Sequence, residues 1–341
     1  MDAALDTLQR PQHCLRMSVI DRCNFRCSYC MPQENYRWLP RPDILSLEEF
    51  ALLGRVFVSA GGKKIKLTGG EPLLRNNLAF LVQELAAIDG LEDLSMTTNG
   101  YLLASQAAEL RHAGLHRLNI SLDTLQRQRF IDISKVDGLD QCIDGILVAQ
   151  GLGFENIKLD MVVMKGVNDD EIIPMLEFAL KHNLQLRFIE YMDVGGALNW
   201  SPEYLITAPE ILELITEHYS SPSTVVGQNP SDPARLYELP NGSKFGIIAS
   251  MSEAFCASCD RSRVTADGNW YPCLYASAGH NLRDDLRRGD EQQLQDKWRQ
   301  LWSQRDSQEA VLRAKMPRRM PAMNLDELIA DPHLEMHTRG G

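Results

Sequence analysis

The 341-residue chain contains no apolar run long enough to cross a membrane. Its longest, Phe50 to Ala60, is interrupted by Arg55, whereas a spanning helix needs about 20 apolar residues. The opening segment MDAALDTLQRPQ lacks the basic-then-apolar order of a secretory signal. A basic excess is also missing: 35 Lys and Arg stand against 46 Asp and Glu, for a formal charge of -11. That argues against a general nucleic-acid binder and leaves room for a local basic pocket around a small anion. No low-complexity tract occurs, and 341 residues suffice for a sizeable core. The expectation is a cytoplasmic protein with no membrane and no nucleic-acid partner.

Cysteine is scarce but grouped. Cys23, Cys27 and Cys30 form one triad, and Cys256, Cys259 and Cys273 form another, spaced C-x2-C-x13-C. In a reducing compartment such groups read as metal or catalytic ligands before disulfides. Cys14 and Cys142 stand in apolar contexts and read as small buried hydrophobes.

From residue 14 to 192, β-like runs alternate with helix-like stretches. The runs are 15–20, 63–69, 91–99, 116–123, 156–165 and 184–192. Ser46 and Glu49 make a capping box at the head of the first helix. Such alternation implies a parallel sheet with helical crossovers. Six units form an incomplete barrel, since eight close the common one. After Asp193 the pattern breaks: hairpins are expected at Asn241-Gly242 and Asp267-Gly268, helices over TAPEILELITEHY and about 291–303. Residues 316–341, rich in Pro and Met, read as an extended tail over the surface. The boundaries are an extension at 1–13, a partial barrel at 14–195, a region bearing the second triad at 196–315, and that tail.

The first triad, spaced C-x3-C-x2-C, begins just past the first strand, where α/β folds place ligands. A structural zinc site or a simple ferredoxin cluster wants four protein ligands. Three thiolates leave one iron of a [4Fe–4S] cube open to a small molecule. After the second strand comes Thr68-Gly-Gly-Glu-Pro72, where Gly69 and Gly70 permit close backbone approach and Glu71 can accept from an ammonium. In order and spacing, triad and turn resemble the radical S-adenosylmethionine (SAM) superfamily. There the open iron is chelated by SAM, and an electron from the cluster cleaves SAM to a 5′-deoxyadenosyl radical.

The second triad again offers only three thiolates, with Arg261 and Arg263 on alternate residues facing one way. Paired guanidiniums beside an open iron suit a phosphorylated substrate. Arg16, Lys66, Lys158 and Arg187 all fall inside expected strands, where exposed cations are out of place, so they point to a charged lumen. No G-x4-G-K-[ST] loop exists to cradle phosphates instead.

DRCNFRCSYCMP, KLTGGEPLLR, TTNG, NISLD, NDDEIIPMLEF, RFIEYMDVG, FCASCDRSR and Gly340-Gly341 together resemble the GTP 3′,8-cyclase family from about Cys14 onward. The resemblance implies an incomplete (β/α)6 TIM-like barrel closed by a C-terminal α+β region, and a homodimer. It implies two [4Fe–4S] clusters, one on Cys23, Cys27 and Cys30 binding SAM, one on Cys256, Cys259 and Cys273 binding guanine. Tyr29, Gly69, Gly70, Glu71, Ser121 and Met192 would line the SAM site. Arg16, Lys66, Thr97, Lys158, Arg187, Arg261 and Arg263 would face GTP, Lys66 standing where some members carry Arg. Arg261, Arg263, Gly340 and Gly341 would complete the catalytic end, the paired glycines threading toward those arginines.

The implied reaction abstracts hydrogen from C3′ of GTP, and attack on C8 gives 3′,8-cyclo-7,8-dihydro-GTP. That is the first step of molybdenum cofactor biosynthesis. It needs an electron donor and hands its product to the cyclic pyranopterin monophosphate synthase. The rival readings are a peptide-modifying radical SAM enzyme with auxiliary clusters, and a non-catalytic metal-binding protein.

Overall fold

Runs such as KIKLT and RLNIS alternate long polar with aliphatic side chains, and each forms a strand of one sheet. The computed structural model describes residues 4–316 and 319–340. Six strands lie where the pattern marks them: β1 Cys14–Ser18, β2 Lys64–Thr68, β3 Asp93–Thr98, β4 Arg117–Ser121, β5 Lys158–Val163 and β6 Gln185–Glu190. They pair in order and in parallel. Beyond them come β7 Ser223–Thr224, β8 Arg235–Glu238, β9 Lys244–Ile248, β10 Arg261–Val264, β11 Asn269–Tyr271 and β12 His280–Asn281.

The C-terminal strands extend both edges of the arc. β10 adds in parallel beside β1, and β9 adds in parallel beside β6. Eight parallel strands therefore line the wall, and no ladder joins β9 to β10 among the described residues. Both expected hairpins are present, β8–β9 about Asn241-Gly242 and β10–β11 about Asp267-Gly268.

Alternation explains the layering. Leu15, Met17, Ile65, Leu67, Leu94 and Met96 point outward and are fully buried under the helices. The intervening polar residues then face the lumen. The first helix, Leu47–Ser59, starts at the expected box: the Ser46 hydroxyl accepts from Glu49 N and the Glu49 carboxylate from Ser46 N. It buries Phe50, Leu53, Val56 and Phe57 in the core. The helix Glu291–Ser303 inserts Trp298 and Trp302 beside it.

The tail departs from expectation. Instead of an extended surface strand it forms a helix at Leu325–Ala330 and 3-10 turns at Pro332–Leu334 and Met336–Arg339. Asn324 and Glu327 cap that helix with a reciprocal box, and His337, Thr338 and Arg339 are buried. Among the described residues no helix is long and apolar enough to cross a membrane.

One buried carboxylate ties the barrel to the C-terminal region. Glu190, at the end of β6, accepts from Ala208 N (2.8 Å), Met251 N (2.7 Å) and Ser252 N (2.8 Å). Glu190→Ala strands those donors and should cost about 3 kcal/mol in denaturant unfolding, with Glu190→Gln costing less. Equal stability of all three proteins would contradict that role.

Candidate active site

The loop leaving β1 carries the first triad, and the chain itself shapes it. Arg26 N donates to Ser134 O (2.8 Å) and Ser28 N to Ile133 O (2.9 Å), which pins the loop against a neighbouring helix. The glycines of the GGEP turn serve this loop. A Cβ on Gly70 would lie 2.2 Å from Arg22 O and 2.9 Å from Cys23 N. Gly69 has φ +153°, and its Cβ would sit 2.4 Å from Ile20 O. At both glycines the backbone therefore also closes tightly on the start of the cysteine loop.

Glu71 is likewise engaged. Its carboxylate accepts from Thr98 Oγ1 (2.7 Å), Asn99 N (2.8 Å) and Leu73 N (3.0 Å), joining the GGEP and TTNG turns. Burial pushes its pKa up to about 7. These three donors belong to the chain itself, so Glu71 organises the site's floor.

Cys23, Cys27 and Cys30 line a cavity of about 350 Å³. Burial, with repulsion from neighbouring carboxylates and from one another, raises all three thiols; Cys23 reaches about 11. Such a cluster of thiols ionises together only around a cationic centre. Among the described residues no three Cys, His, Asp or Glu side chains converge on a single-ion site. Three thiolates on one short loop are a donor set that a [4Fe–4S] cube accepts, each thiolate on its own iron. The Tyr29 hydroxyl donates to Asp123 (2.8 Å), which in turn accepts from Val162 N (2.9 Å). Burial pushes Asp123 up to about 6. Gly69, Gly70, Ser121 and Met192 line the same end.

The second triad faces the opposite end of the same cavity. Arg261 lies beside Cys14 in register, so Cys259 precedes the amino end of the barrel, whereas Cys23 follows its carboxyl end. The five residues of β1, roughly 16 Å of strand, separate the two levels. Between them runs a row of cations in register across three strands: Arg263, Arg16 and Lys66. Burial first, then mutual repulsion, draws Lys66 well below its ordinary value, Arg16 to about 10 and Arg263 to about 9. Arg261 stacks 4.8 Å from the Phe255 ring, and its charge bears on the Cys259 thiol. Such crowding is relieved by a polyanion.

Arg187 and Thr97 also line the cavity; Lys158 does not. Lys158 sits two residues below Asp160 on β5, one layer nearer the amino end. Arg187 is clamped by Asp160 (Nε–Oδ1 2.6 Å), a carboxylate that sequence reasoning passes over. Asp160 also accepts from Asn119 (3.1 Å). Its signal is present in the chain, an acid inside a strand, the same oddity that marks the cations.

The tail reaches this cation row. The carbonyl of Gly340 accepts from Arg263 Nη1 (2.8 Å) and from Arg16 Nε. Gly341 lies outside the described residues.

Compared with known proteins, residues 17–179 match the radical SAM superfamily and residues 184–311 match Molybdenum Cofactor Synthesis C. The chain is 48% identical over 336 residues to GTP 3′,8-cyclase 3 of Mycobacterium bovis, covering 96% of this chain and 88% of that one. It is 47% identical over 341 residues to GTP 3′,8-cyclase 1 of Mycobacterium tuberculosis, covering 98% and 95%. This chain belongs to the GTP 3′,8-cyclase family. A relative in Staphylococcus epidermidis, also called GTP 3′,8-cyclase, is 40% identical over 311 residues, covering 89% and 91%. Among solved structures, Streptococcus suis SuiB bound to S-adenosylmethionine aligns with TM-score 0.60 at 15% identity, covering 85% of this chain and 68% of that one. Native anSMEcpe with bound AdoMet aligns with TM-score 0.56 at 16% identity, covering 94% and 97%. At such identity these two share the fold alone, and it is the radical SAM partial barrel.

Within this family member the tail has a titratable anchor. His333 Nε2 meets Asp267 Oδ2 and its Nδ1 meets Asp331 Oδ1, both at 2.8 Å. Burial lowers the imidazole, but the two carboxylates outweigh it and raise it above 6.5. A raised value stabilises the docked tail fully below the unfolded histidine's pKa, and that contribution disappears as pH climbs through the folded value. Hydrogen-exchange protection of residues 333–340 should therefore be constant below about pH 6.5 and fall above it. His333→Gln should flatten that profile; an unchanged profile would contradict the anchor.

Proposed function

We propose that this chain converts GTP to 3′,8-cyclo-7,8-dihydro-GTP, the first step of molybdenum cofactor biosynthesis. The observation that carries the reading is one lumen holding a thiol triad at each end and a buried row of cations between them. Family membership supplies the reaction, and the geometry supplies places for its participants.

In this reading Cys23, Cys27 and Cys30 hold a [4Fe–4S] cluster, and Cys256, Cys259 and Cys273 hold a second. When bound, the first would supply the electron that cleaves SAM, and the second would bind the guanine. The chain's own groups do the positioning. Tyr29, oriented by Asp123, with Gly70, Ser121 and Met192, seats SAM. Arg16, Lys66, Arg187, Arg261 and Arg263 take the triphosphate, Arg187 remaining oriented by Asp160. Held at both ends, the nucleotide presents C3′ toward the SAM end, and the buried wall keeps water from the radical. The docked tail completes the enclosure.

By the same resemblance the enzyme acts as a cytoplasmic homodimer, takes electrons from a cellular reductant, and passes its product to the cyclic pyranopterin monophosphate synthase. The test is anaerobic incubation with SAM, dithionite and GTP. 5′-Deoxyadenosine and a cyclised nucleotide should form together and require GTP. SAM cleavage indifferent to GTP would count against the proposal.

A further inference from the structure

Segment 4–13 reads from sequence as a mere extension before the barrel. In the structure it reaches the second triad. Asp6, Arg10 and Arg305 are all buried, with at most 4% of each exposed. Asp6 Oδ2 accepts from Arg10 Nε (2.6 Å) and from Arg305 Nη1 (2.8 Å), so one carboxylate holds two guanidiniums.

Those guanidiniums touch the backbone of two of the cysteines and of the residue before the third. Arg10 Nη1 donates to Cys256 O (2.7 Å), and Arg305 Nη1 donates to Cys259 O (3.0 Å). Arg305 Nε donates to Pro272 O (3.1 Å), the residue just before Cys273. Arg305 Nη2 goes further and points at a ligand sulfur, Cys259 Sγ, at 3.3 Å. Its plane is fixed from behind by the Trp302 ring, 4.6 Å away. A structural arginine that only tethered the segment would satisfy carbonyls. This one directs a donor at the atom that would bind iron.

We propose that Asp6, Arg10 and Arg305 form a bracket that presets the second cluster's three ligands and raises that cluster's reduction potential through the Arg305–Cys259 hydrogen bond. Hydrogen bonds and positive charge at a ligand thiolate withdraw electron density from it and favour the reduced cluster. The bracket also ties together the two separate segments, 256–259 and 272–273, that carry these thiols.

The inference rests on the reading that Cys256, Cys259 and Cys273 carry a cluster, and the experiment separates the two. The reconstituted full-length chain, its Arg305→Gln and Arg305→Lys variants, and Asp6→Asn are titrated anaerobically with EPR detection. Iron content and the SAM-responsive signal of the first cluster serve as folding checks. Arg305→Gln should shift the second midpoint to lower potential and leave the first unchanged. Arg305→Lys, which keeps the charge, should move the midpoint part of the way back. Asp6→Asn should lose second-site iron to a chelator several-fold faster than wild type. If Arg305→Gln does not fold, Arg305→Lys and Asp6→Asn decide by the same readouts. Two clusters with a second midpoint unmoved in the Arg305 variants would overturn the bracket alone. A wild-type chain carrying only the first cluster would overturn the two-cluster reading, and the bracket with it.

Discussion

Gly340→Ala is expected to lower turnover on the order of 100-fold while leaving iron content and overall folding intact. Gly340 has φ +63°, in the left-handed region, where an L side chain costs about 1–2 kcal/mol. Space is the larger objection. A Cβ would sit 2.0 Å from Thr68 Oγ1 and 3.0 Å from Thr68 Cβ, with Ser18 Oγ at 3.3 Å. Thr68 is β-branched and ends a buried strand, so it has little freedom to step aside. The tail must then lift, and with it the Gly340 carbonyl that Arg16 and Arg263 hold. Roughly 3 kcal/mol of lost docking corresponds to that factor. Pairing the change with Thr68→Ala removes the clash and leaves the backbone strain, so the double variant should recover part of the activity. Wild-type turnover by Gly340→Ala would show that the seated tail has no part in catalysis.

The two triads should fail in different ways. Cys30→Ala removes a thiol of the first triad, and SAM cleavage should become undetectable whether or not GTP is present. Cys273→Ala leaves that end intact. It should keep one cluster and retain a slow, GTP-independent formation of 5′-deoxyadenosine. Its affinity for GTP should drop on the order of 100-fold, the scale seen when the supports of a metal site are lost, and no cyclised nucleotide should appear. The contrast follows from topology: the triads flank opposite ends of the strands, with the cation row between them. Identical phenotypes for the two variants would mean that the division of labour is wrong.

Much of this is legible in the chain. Strand–helix alternation locates all six barrel strands, because period-two patterning survives wherever one face meets helices and the other a lumen. Cations inside strands announce that the lumen is polar, and Arg16, Lys66, Arg187, Arg261 and Arg263 do line it. Lys158 shares the signal but is not part of the cavity lining, although its register neighbour Asn119 is. The seventh and eighth parallel strands read from sequence only as hairpins, since pairing of β9 with β6 and β10 with β1 joins residues far apart along the chain. The tail misleads because its Pro and Met content resembles an exposed segment. Its inward turn comes from specific partners: Arg339 donating to Leu274 O (2.9 Å), and His337 packed 5.5 Å from Tyr36. Asp123 and Asp6 escape sequence reading for a similar reason, as single carboxylates whose importance lies in whom they face.

In the proposed reading the lumen presents C3′ of GTP to the SAM end. That presentation is tested most directly with GTP deuterated at C3′, incubated with SAM and reductant under a single turnover. The deuterium should appear in 5′-deoxyadenosine together with the cyclised nucleotide. Unlabelled 5′-deoxyadenosine formed alongside that product would contradict it.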